Sequence, residues 1–459
     1  MSYPENPFDE NFDVKEILAI HSDEQNADNL SNEHEDKLNK LLLWICSSPK
    51  ISSIRFNKLL TSKDQLINIL TEKILANKYI EIAPKIYEHP SLPDVIIVEK
   101  LTKYTDELDK NLNEVIVDPI CGAAILRGSH IFAPGVLGLL SASQIGDKVS
   151  IYADLTGECK RGYLKKFENP GKVFIGNGIL HQSRKEIFEN NAEPKGLAVE
   201  VIGTISYCPP IDDKELWKYG AILQNLPSIV CGHVLNPQRN DIILDMCAAP
   251  GNKTTHLATI INNQGTIIAL DKNKSKIDSL KERCKIFFSR CVEVYHFDAT
   301  EAVVVDNEIN PSGKLNLVPP FNKETFDKIL LDVPCSALGQ RPQLRNKITN
   351  KELKSYVSLQ RKIFRAGVDL LKTNGHLVYS TCTITLAENE GMVAWALKTF
   401  SCLKLIPAVP KIGGSGWKIS SLTTEQCDNL QRFSYQDENC DSVGFFIAHF
   451  EKIEINNPQ

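Results

Sequence analysis

Two cysteines of this chain stand where a thiol could carry out covalent chemistry. Cys335 follows an apolar run in KILLDVPC, and Cys382 follows another in HLVYSTC. A thiolate is a strong nucleophile, and a second thiol near the first could assist breaking of the bond that the nucleophile forms. Asp332 could hydrogen-bond a substrate ring, and Lys253 could stabilise a thiolate or contact a phosphate. These four residues predict catalysis by covalent thiolate addition.

The cysteine content by itself does not separate catalytic from structural thiols. The chain has 13 cysteines in 459 residues, and a buried free cysteine most often packs as a small apolar side chain. Their number is odd and no Cys-x-x-Cys spacing occurs. We therefore expect neither a complete disulfide framework nor a zinc site, and we predict no bound metal.

The composition, 42% hydrophobic and 24% charged with a net charge of −5, is typical of a globular protein. It argues against a surface coated in basic charge but does not exclude nucleic acid. There is no apolar run of about 18 residues that could span a membrane. The opening MSYPENPFDE lacks the features of a secretion signal, so we expect a cytoplasmic protein, and we expect a monomer. Residues 1–36 are rich in Asp and Glu and are expected to be disordered.

Three further segments follow, each with its own pattern. In residues 37–110 apolar residues recur at helical spacing, which predicts a helical region, and the apolar run Val95–Val98 predicts one short strand. Residues 111–205 contain short β runs broken by glycine, typical of a compact β barrel. In residues 206–455 strands and helices alternate, so we expect an α/β, Rossmann-like domain with a parallel, doubly wound sheet. The strands predicted for that sheet are Ile242–Met246, Thr266–Leu270, Glu293–Phe297, Lys328–Asp332, His376–Ser380 and Gly444–Phe450.

The segment DIILDMCAAPGNKTTHLATI predicts a strand, a tight turn and a helix, which together present backbone N–H groups to a ligand. It matches neither the Walker A motif nor Gly-x-Gly-x-x-Gly, so we expect a ligand without phosphates, such as an adenosyl amino acid. Asp271 stands 20 residues beyond Gly251 and fits a carboxylate that binds ribose hydroxyls. Asp271 or Asp298 alone would also suit a helix cap, but three acids at strand ends of one sheet favour a ligand. The predicted cofactor residues are Cys247, Ala248, Ala249, Pro250, Gly251, Asn252, Lys253, Asp271, Lys276, Asp298 and Asp332.

Methylation at C5 of cytosine is a reaction whose demands these residues meet. C5 is a poor nucleophile until a thiolate adds at C6, and afterwards the C5 proton must leave and the thiolate must be expelled. Asp332 could hold the N3 and N4 edge of the base, which would have to leave any stack to be reached. Spacing alone does not decide which of the two cysteines attacks.

Three segments resemble, nearly letter for letter, the Nol1/Nop2/Sun family of RNA cytosine-C5 methyltransferases. They are DMCAAPGNKTTH, DVPCSALGQRP and YSTCTITLAENE, and the similarity extends over about Asp212 to Phe450. The resemblance implies that S-adenosylmethionine is the cofactor. It also implies that Cys382 is the nucleophile and that Cys335 promotes release of the product.

The chain departs from the family pattern at one position of the cofactor turn. The family usually has Gly-Gly-Lys where this chain has Gly251-Asn252-Lys253. Asparagine tolerates a left-handed backbone better than most residues, so we expect the turn to form and activity to survive.

The β-rich segment resembles a PUA domain, an RNA-binding barrel, in CGAAILRGSHIFAPGV and KVFIGNGIL. Its insertion is similar to that in the PUA-containing member of the family, which acts on transfer RNA near the 3′ end of the acceptor stem and on some messenger RNA. The resemblance implies a transfer RNA partner held at the acceptor stem and CCA end, and leaves messenger RNA open as a second substrate. The residues that match this role are Arg127, Phe132, Lys160, Arg161 and Asn177, although a tyrosine is more usual at the position of Phe132. On composition alone, the basic residues between 160 and 172 suit a solvated hairpin face equally well.

Three other functions are alternatives to this one. A DNA cytosine-C5 methyltransferase would use Cys335 as nucleophile and leave Cys382 idle, and the PUA-like segment opposes it. A small-molecule methyltransferase would need neither cysteine. A catalytically silent RNA-binding protein would tolerate loss of both, so the complete set of two cysteines, Asp332 and Lys253 argues against it.

Overall fold

The computed structural model describes residues 4–8, 32–189, 194–304, 317–436 and 440–455. Most of the acidic segment predicted at residues 1–36 lies outside the described residues. The chain divides into two compact units. The N-terminal unit contains residues 36–223 and 341–347 together with the first residues of the chain, and the C-terminal unit contains 224–340 and 348–459. Residues 206–223, which the sequence pattern grouped with the α/β domain, thus belong to the N-terminal unit.

The N-terminal unit begins with two helices and a small antiparallel sheet. The helices are α1 (Asn32–Cys46) and α2 (Lys63–Leu75), and the strands are β1 (Ile51–Phe56), β2 (Ile86–Glu88), β3 (Val95–Glu99) and β10 (Ala221–Leu223) in the order β10-β1-β3-β2. The sequence predicted a helical region with one strand here. The additional strand β1 reads ISSIRF, which is too short and too polar to be recognised by itself, and its pairing with β3 and β10 makes it a strand.

The same unit contains a six-stranded sheet in the segment predicted to be rich in β structure. Its strands are β4 (Asn113–Val117), β5 (Ile131–Phe132), β6 (Val136–Leu139), β7 (Lys148–Asp154), β8 (Lys172–Leu180) and β9 (Leu197–Thr204), in the order β5-β9-β8-β7-β4-β6. Strands β4 and β7 are parallel and the other pairs are antiparallel. The helices α3 (Pro119–Ile125), α4 (Arg184–Phe188) and α5 (Asp213–Trp217) and a 3-10 turn at Ala133–Gly135 complete the unit.

The C-terminal unit has the α/β architecture that the sequence predicts. Its strands are β11 (Ile242–Asp245), β12 (Thr266–Asp271), β13 (Val292–His296), β14 (Phe326–Asp332), β15 (Leu371–Thr381), β16 (Leu403–Ile406), β17 (Gln431–Phe433) and β18 (Phe445–Lys452). Their order is β13-β12-β11-β14-β15-β18-β16, and β17 pairs with β18. The helices are α6 (Leu226–Leu235), α7 (Asn252–Ile260), α8 (Lys274–Ile286), α9 (Asn350–Leu370), α10 (Glu390–Thr399) and α11 (Thr424–Asn429), with a 3-10 turn at Ala299–Glu301.

The first five strands of this order are parallel, and the apolar residues of β11, β12, β14 and β15 are largely buried. The expectation that the last strand is also parallel is wrong, because β18 runs antiparallel to β15. Strand β17 precedes β18 in the chain and pairs antiparallel with it, so the chain reverses its direction between these two strands. Every helix in the described part of the chain is too short or too polar to span a lipid bilayer.

The strand order brings the candidate site to one edge of the sheet. Strands β12 and β14 lie on opposite sides of β11, so the connections that follow β11 and β14 lead away in different directions. A crevice opens beyond the carboxyl ends of the strands at such a point. The acids Asp245, Asp271 and Asp332 end β11, β12 and β14 at this edge.

Candidate active site

The turn between β11 and α7 depends on glycine at position 251. Gly251 has a φ of 104°, in the left-handed region that favours glycine, and a Cβ there would lie 2.5 Å from Leu280 Cδ1. Asn252 is the first residue of α7 and does not carry the positive φ. The left-handed backbone considered for Asn252 therefore falls on Gly251 instead. The side chain of Asn252 accepts a hydrogen bond from the guanidinium of Arg283 on α8.

The predicted cofactor residues from Cys247 to Lys253 all lie in this turn or in the first residues of α7. Asp271 ends the neighbouring strand, and its Oδ2 accepts a hydrogen bond of 3.0 Å from the backbone N–H of Ala249. The other oxygen of Asp271 accepts from the N–H of Asn273 at 2.8 Å. Asp271 therefore ties the end of β12 to the turn.

Asp298 has the capping role considered as its alternative, and it has a cation beside it. Its Oδ1 accepts from the N–H and hydroxyl of Thr300 at 3.0 and 2.8 Å, and its Oδ2 lies 2.6 Å from Lys272 Nζ. Burial opposes ionisation of Asp298, but the Lys272 and Thr300 hydrogen bonds outweigh it and lower the pKa of this carboxyl. Lys276, also predicted at the cofactor, is exposed in the first turn of α8.

Asp245 is a further acid at this edge. It is 1% exposed, and its Oδ2 accepts a 2.7 Å hydrogen bond from Thr254 Oγ1. Its Oδ1 is buried and has no hydrogen-bond partner among the described residues. Burial raises the pKa of Asp245 to about 7. An unsatisfied buried oxygen next to the turn is a feature that a bound ligand or water would satisfy.

Asp332 is held by two partners. Its Oδ2 lies 2.8 Å from Lys253 Nζ, and its Oδ1 accepts a hydrogen bond of 2.8 Å from Ser380 Oγ. Burial disfavours the Lys253 cation, but the negative charge of Asp332 outweighs this and raises the pKa of Lys253. The structure thus brings together two residues predicted to be catalytic and adds Ser380, which the sequence did not single out.

The sulfurs of Cys335 and Cys382 lie 3.3 Å apart, within hydrogen-bond range for a thiol and a thiolate. A hydrogen bond from Cys335 lowers the pKa of Cys382, with further help from Gln340 and Lys253, although burial and Asp332 act in the opposite direction. The same hydrogen bond, burial and the nearby negative charges raise the pKa of Cys335. The pair therefore favours a thiolate on Cys382 and a thiol on Cys335.

The backbone around the cysteine pair is closely packed. Gly339 donates its N–H to the carbonyl of Cys382 at 2.9 Å and accepts from the N–H of Gly444 at 2.7 Å. A Cβ on Gly339 would lie 2.1 Å from the Gly444 carbonyl oxygen, so no other residue fits without a backbone shift. Gly339 thus joins the loop after Cys335 both to Cys382, which follows β15, and to Gly444, which precedes β18.

The five residues predicted to bind RNA lie in the N-terminal unit in different environments. Phe132 is 48% exposed, and Lys160 and Arg127 are exposed as well. Asn177 is 1% exposed, and its amide bonds the backbone of Asp109 and Val149. The structure therefore does not bring Asn177 to the surface.

Arg161 is exposed, but its guanidinium holds a turn of the N-terminal unit. It donates to the carbonyls of Ala133, Pro134, Val136 and Ile187 at 2.8 to 3.4 Å. Its guanidinium carbon also lies 5.2 Å from the centre of the Phe188 ring. Arg161 thus stabilises the turn that follows Phe132.

Several residues of the site escaped the sequence analysis. Asp245 carries the same signal as Asp271 and Asp332, an acid at a strand end, so the rule that found those two also applies to it. Ser380 stands two residues before Cys382, in a position where many residues would fit a strand. Glu388 and Gln340 lie in loops, inside two of the segments that resemble the family, but nothing in their residue type or spacing indicated a role, because their roles depend on contacts with distant segments.

This combination of an α/β sheet, a cofactor turn at its switch point and two thiols at the same edge defines a methyltransferase of the class that acts through a cysteine. The family model for the 16S rRNA methyltransferase RsmB/F matches residues 232–451. The tRNA (cytosine(72)-C(5))-methyltransferase NSUN6 of Mus musculus is 42% identical over 92% of this chain and 91% of its own. That of Homo sapiens is 41% identical over 98% and 96%.

A solved structure agrees with these relatives. The crystal structure of NSun6 from Pyrococcus horikoshii with SFG is 29% identical, with a TM-score of 0.70 over 92% of this chain and 96% of its own. The chain belongs to the Nol1/Nop2/Sun family of S-adenosylmethionine-dependent RNA cytosine-C5 methyltransferases.

Proposed function

We propose that this protein methylates C5 of a cytosine near the 3′ end of the acceptor stem of transfer RNA. The observation that carries the proposal is the pair of sulfurs 3.3 Å apart, on Cys335 and Cys382, at the edge of the sheet where Asp332 ends β14. Relatives with the same function in their names match more than nine tenths of the chain.

The residues of the turn suit S-adenosylmethionine, which supplies the methyl group when bound. The close approach at Gly251 brings backbone N–H groups to the crevice, and Asp271 stands where a ribose would need a carboxylate. Asp245 Oδ1 is buried and has no hydrogen-bond partner in the part of the chain that the structure describes, so a polar ligand group could satisfy it. The relative from Pyrococcus horikoshii was solved with SFG, an analogue of this cofactor.

In the proposed attack step, Cys382 adds to C6 as a thiolate, and a new carbon–sulfur bond forms while electrons move toward N3. Cys335 favours this step because its S–H donates to the sulfur of Cys382 before attack. Asp332, oriented by Lys253 and Ser380, holds the N3 and N4 edge of the base. C5 is then nucleophilic enough to accept the methyl group.

In the proposed release step, the proton on C5 passes to a water molecule, and the electron pair of the C5–H bond forms the C5–C6 double bond. The bond between C6 and Cys382 breaks, and the sulfur departs as a thiolate. Cys335, next to this sulfur, promotes the step. The ring becomes aromatic again and the enzyme regains its starting thiolate.

We further propose that residues 111–205 form a PUA domain that holds the acceptor stem and CCA end. Exposed Phe132 supplies a ring on which a base can stack, and exposed Lys160 and Arg127 supply positive charge. Arg161 contributes by shaping the turn next to Phe132. Asn177 supports the sheet from inside.

The test compares the wild type with Cys382→Ala, Cys335→Ala and Cys402→Ala on transfer RNA and S-adenosylmethionine. Products are 5-methylcytosine, mapped to its position, and a covalent protein–RNA adduct. We expect Cys382→Ala to form neither, Cys335→Ala to accumulate the adduct, and Cys402→Ala to behave as the wild type. Methylation by Cys382→Ala would refute the mechanism, and methylation far from the acceptor stem would refute the substrate.

A further inference from the structure

Three consecutive polar residues, Glu388, Asn389 and Glu390, are buried behind the cysteine pair, with exposures of 1%, 0% and 0%. Burying a charged side chain is costly unless its hydrogen bonds are satisfied. Glu390 is compensated by an ion pair with Arg432, whose Nε lies 2.8 Å from Glu390 Oε1. Glu388 has no such cation among its hydrogen-bond partners in the described residues, so its burial calls for a functional reason.

Glu388 fastens the loop that carries Cys335. Its Oε2 accepts from the backbone N–H of Ser336 at 3.0 Å and from Gln360 Nε2 at 2.9 Å. Its Oε1 accepts from the hydroxyls of Ser336 and Thr385 at 2.5 and 2.9 Å. An ionised carboxylate only accepts hydrogen bonds, so four donors suit that form. A negative charge surrounded by neutral groups is thus held next to the residue that follows Cys335.

Asn389 fastens the loop that carries Cys382. Its Oδ1 accepts from Thr381 Oγ1 at 2.5 Å, and its Nδ2 donates to the carbonyl of Thr383 at 3.1 Å. The two loops are joined directly as well, because the hydroxyls of Ser336 and Thr383 lie 2.6 Å apart. Glu388 and Asn389 are adjacent in the chain, and each holds one of the two cysteine loops. Together they place the two sulfurs side by side.

Two sulfurs at 3.3 Å can share one proton, and geometry alone would let either of them be the thiolate. The surroundings of the two are unequal. Lys253 and Gln340 favour negative charge on Cys382, whereas the charge of Glu388 disfavours it on Cys335. Charges act strongly over short distances in a buried site. The other titratable groups near the sulfurs are Asp332, which opposes the thiolate of Cys382, and Tyr356 and Tyr379.

We propose that Glu388 is a positioning residue that keeps the proton of the cysteine pair on Cys335, so that Cys382 alone is the nucleophile. The inference rests on the proposed function, since the pair has unequal roles only if one sulfur attacks. Glu388 touches neither reacting sulfur by a hydrogen bond and acts through Ser336 and through its charge. Glu388 therefore decides which cysteine attacks and which promotes release, but it takes part in neither step.

The experiment measures which cysteine reacts with iodoacetamide in the full chain without RNA, by peptide mass spectrometry at neutral pH. A thiolate is alkylated and a thiol is not. In the wild type we expect Cys382 to react at least about tenfold faster than Cys335, and in Glu388→Gln we expect this ratio to fall by about tenfold. A merely structural role would not exchange reactivity between two neighbouring thiols.

The matched control is Glu352→Gln. Glu352 also accepts a backbone N–H and a hydroxyl, both from Thr349 at 2.7 and 2.8 Å, but at the exposed start of α9. Its substitution should leave the alkylation ratio unchanged. A ratio in Glu388→Gln that stays within about twofold of the wild-type ratio, with normal thermal melting, overturns the inference.

A second variant keeps the test decisive if Glu388→Gln does not fold. In Lys253→Met, Glu388 is intact, so we expect Cys382 to react more slowly while Cys335 stays slow. Faster alkylation of Cys335 than of Cys382 in that variant also overturns the inference. Because alkylation needs no RNA, failure of the proposed function would be seen separately, as wild-type protein that makes no 5-methylcytosine.

Discussion

Replacing Lys253 with methionine removes a cation from the site while keeping most of the side-chain volume. Lys253 Nζ lies 2.8 Å from Asp332 Oδ2, and the two side chains are 11% and 31% exposed. Removing one partner of a fully buried pair costs about 3 to 5 kcal/mol. Water screens the exposed part of Asp332, so we expect Lys253→Met to lower the free energy of unfolding by about 2 kcal/mol.

The same substitution changes the reactivity of Cys382. The hydrogen bond from Cys335 is the main cause that lowers the pKa of Cys382, and Lys253 adds to it. Without the Lys253 cation the pKa of Cys382 rises. The rising limb of the pH profile, in which the rate of adduct formation increases with pH, therefore moves to higher pH. A rise of one unit lowers the thiolate fraction about tenfold at any pH below both pKa values. The defect should therefore be large at neutral pH and shrink as the solution becomes alkaline.

The assay follows the rate of covalent adduct formation with transfer RNA as a function of pH, alongside thermal unfolding. Lys372→Met is the matched control, because Lys372 of β15 pairs with Asp327 of β14 at 2.7 Å, at the ends of these strands that lie opposite to Asp332 and Cys382. That pair is 36% and 33% exposed, so its loss should cost about 1 kcal/mol or less and leave the pH limb in place. An unshifted limb in Lys253→Met, or an equal shift in Lys372→Met, would show that the reasoning is wrong.

Four further substitutions test other parts of the structure. Gly251→Ala places a Cβ against α8 at a φ of 104° and should destabilise the protein by about 1 to 3 kcal/mol and weaken S-adenosylmethionine binding, as measured by thermal unfolding and calorimetry. Asn252→Gly removes the hydrogen bond with Arg283 but leaves the turn intact, so kcat/KM should stay within about threefold, a change of less than 1 kcal/mol; a complete loss would contradict this. Lys160→Ala should reduce the salt slope of RNA binding by about one without changing the melting temperature, whereas Arg161→Ala, which loses carbonyl contacts, should lower stability by about 1 to 2 kcal/mol.

Much of the C-terminal unit could be predicted from the sequence, because the sequence signals for its strands and its site are local. Parallel strands buried on both faces are apolar runs, and their carboxyl ends meet at one edge, so the acid or cysteine after each run is a candidate for the site. That rule found Asp271 and Asp332, and the family that the neighbouring segments resemble was confirmed by relatives similar over most of the chain. The predicted direction of β18 was wrong, because the sequence of an apolar strand does not show whether the strand runs parallel or antiparallel to its neighbour.

The N-terminal unit was less predictable for the opposite reason. The sequence does not distinguish a buried asparagine from one at the surface. Only the structure shows that the side-chain amide of Asn177 forms hydrogen bonds with the backbone of Asp109. Arg161 likewise looked like a residue for RNA, although the carbonyls around Ala133 occupy its guanidinium. Strand β1 was missed since its identity comes from its neighbours in the sheet.

The sequence by itself determined the family, the cofactor turn and the presence of two candidate thiols, because each of these is written in a short continuous segment. Only the tertiary structure decided that the sulfurs of Cys335 and Cys382, 47 residues apart, lie 3.3 Å from each other. It also decided that Glu388 is buried on the side of Cys335 and Lys253 on the side of Cys382. A proton shared between two sulfurs responds to charges a few ångströms away, and such distances arise only when separate segments fold onto one edge of the sheet.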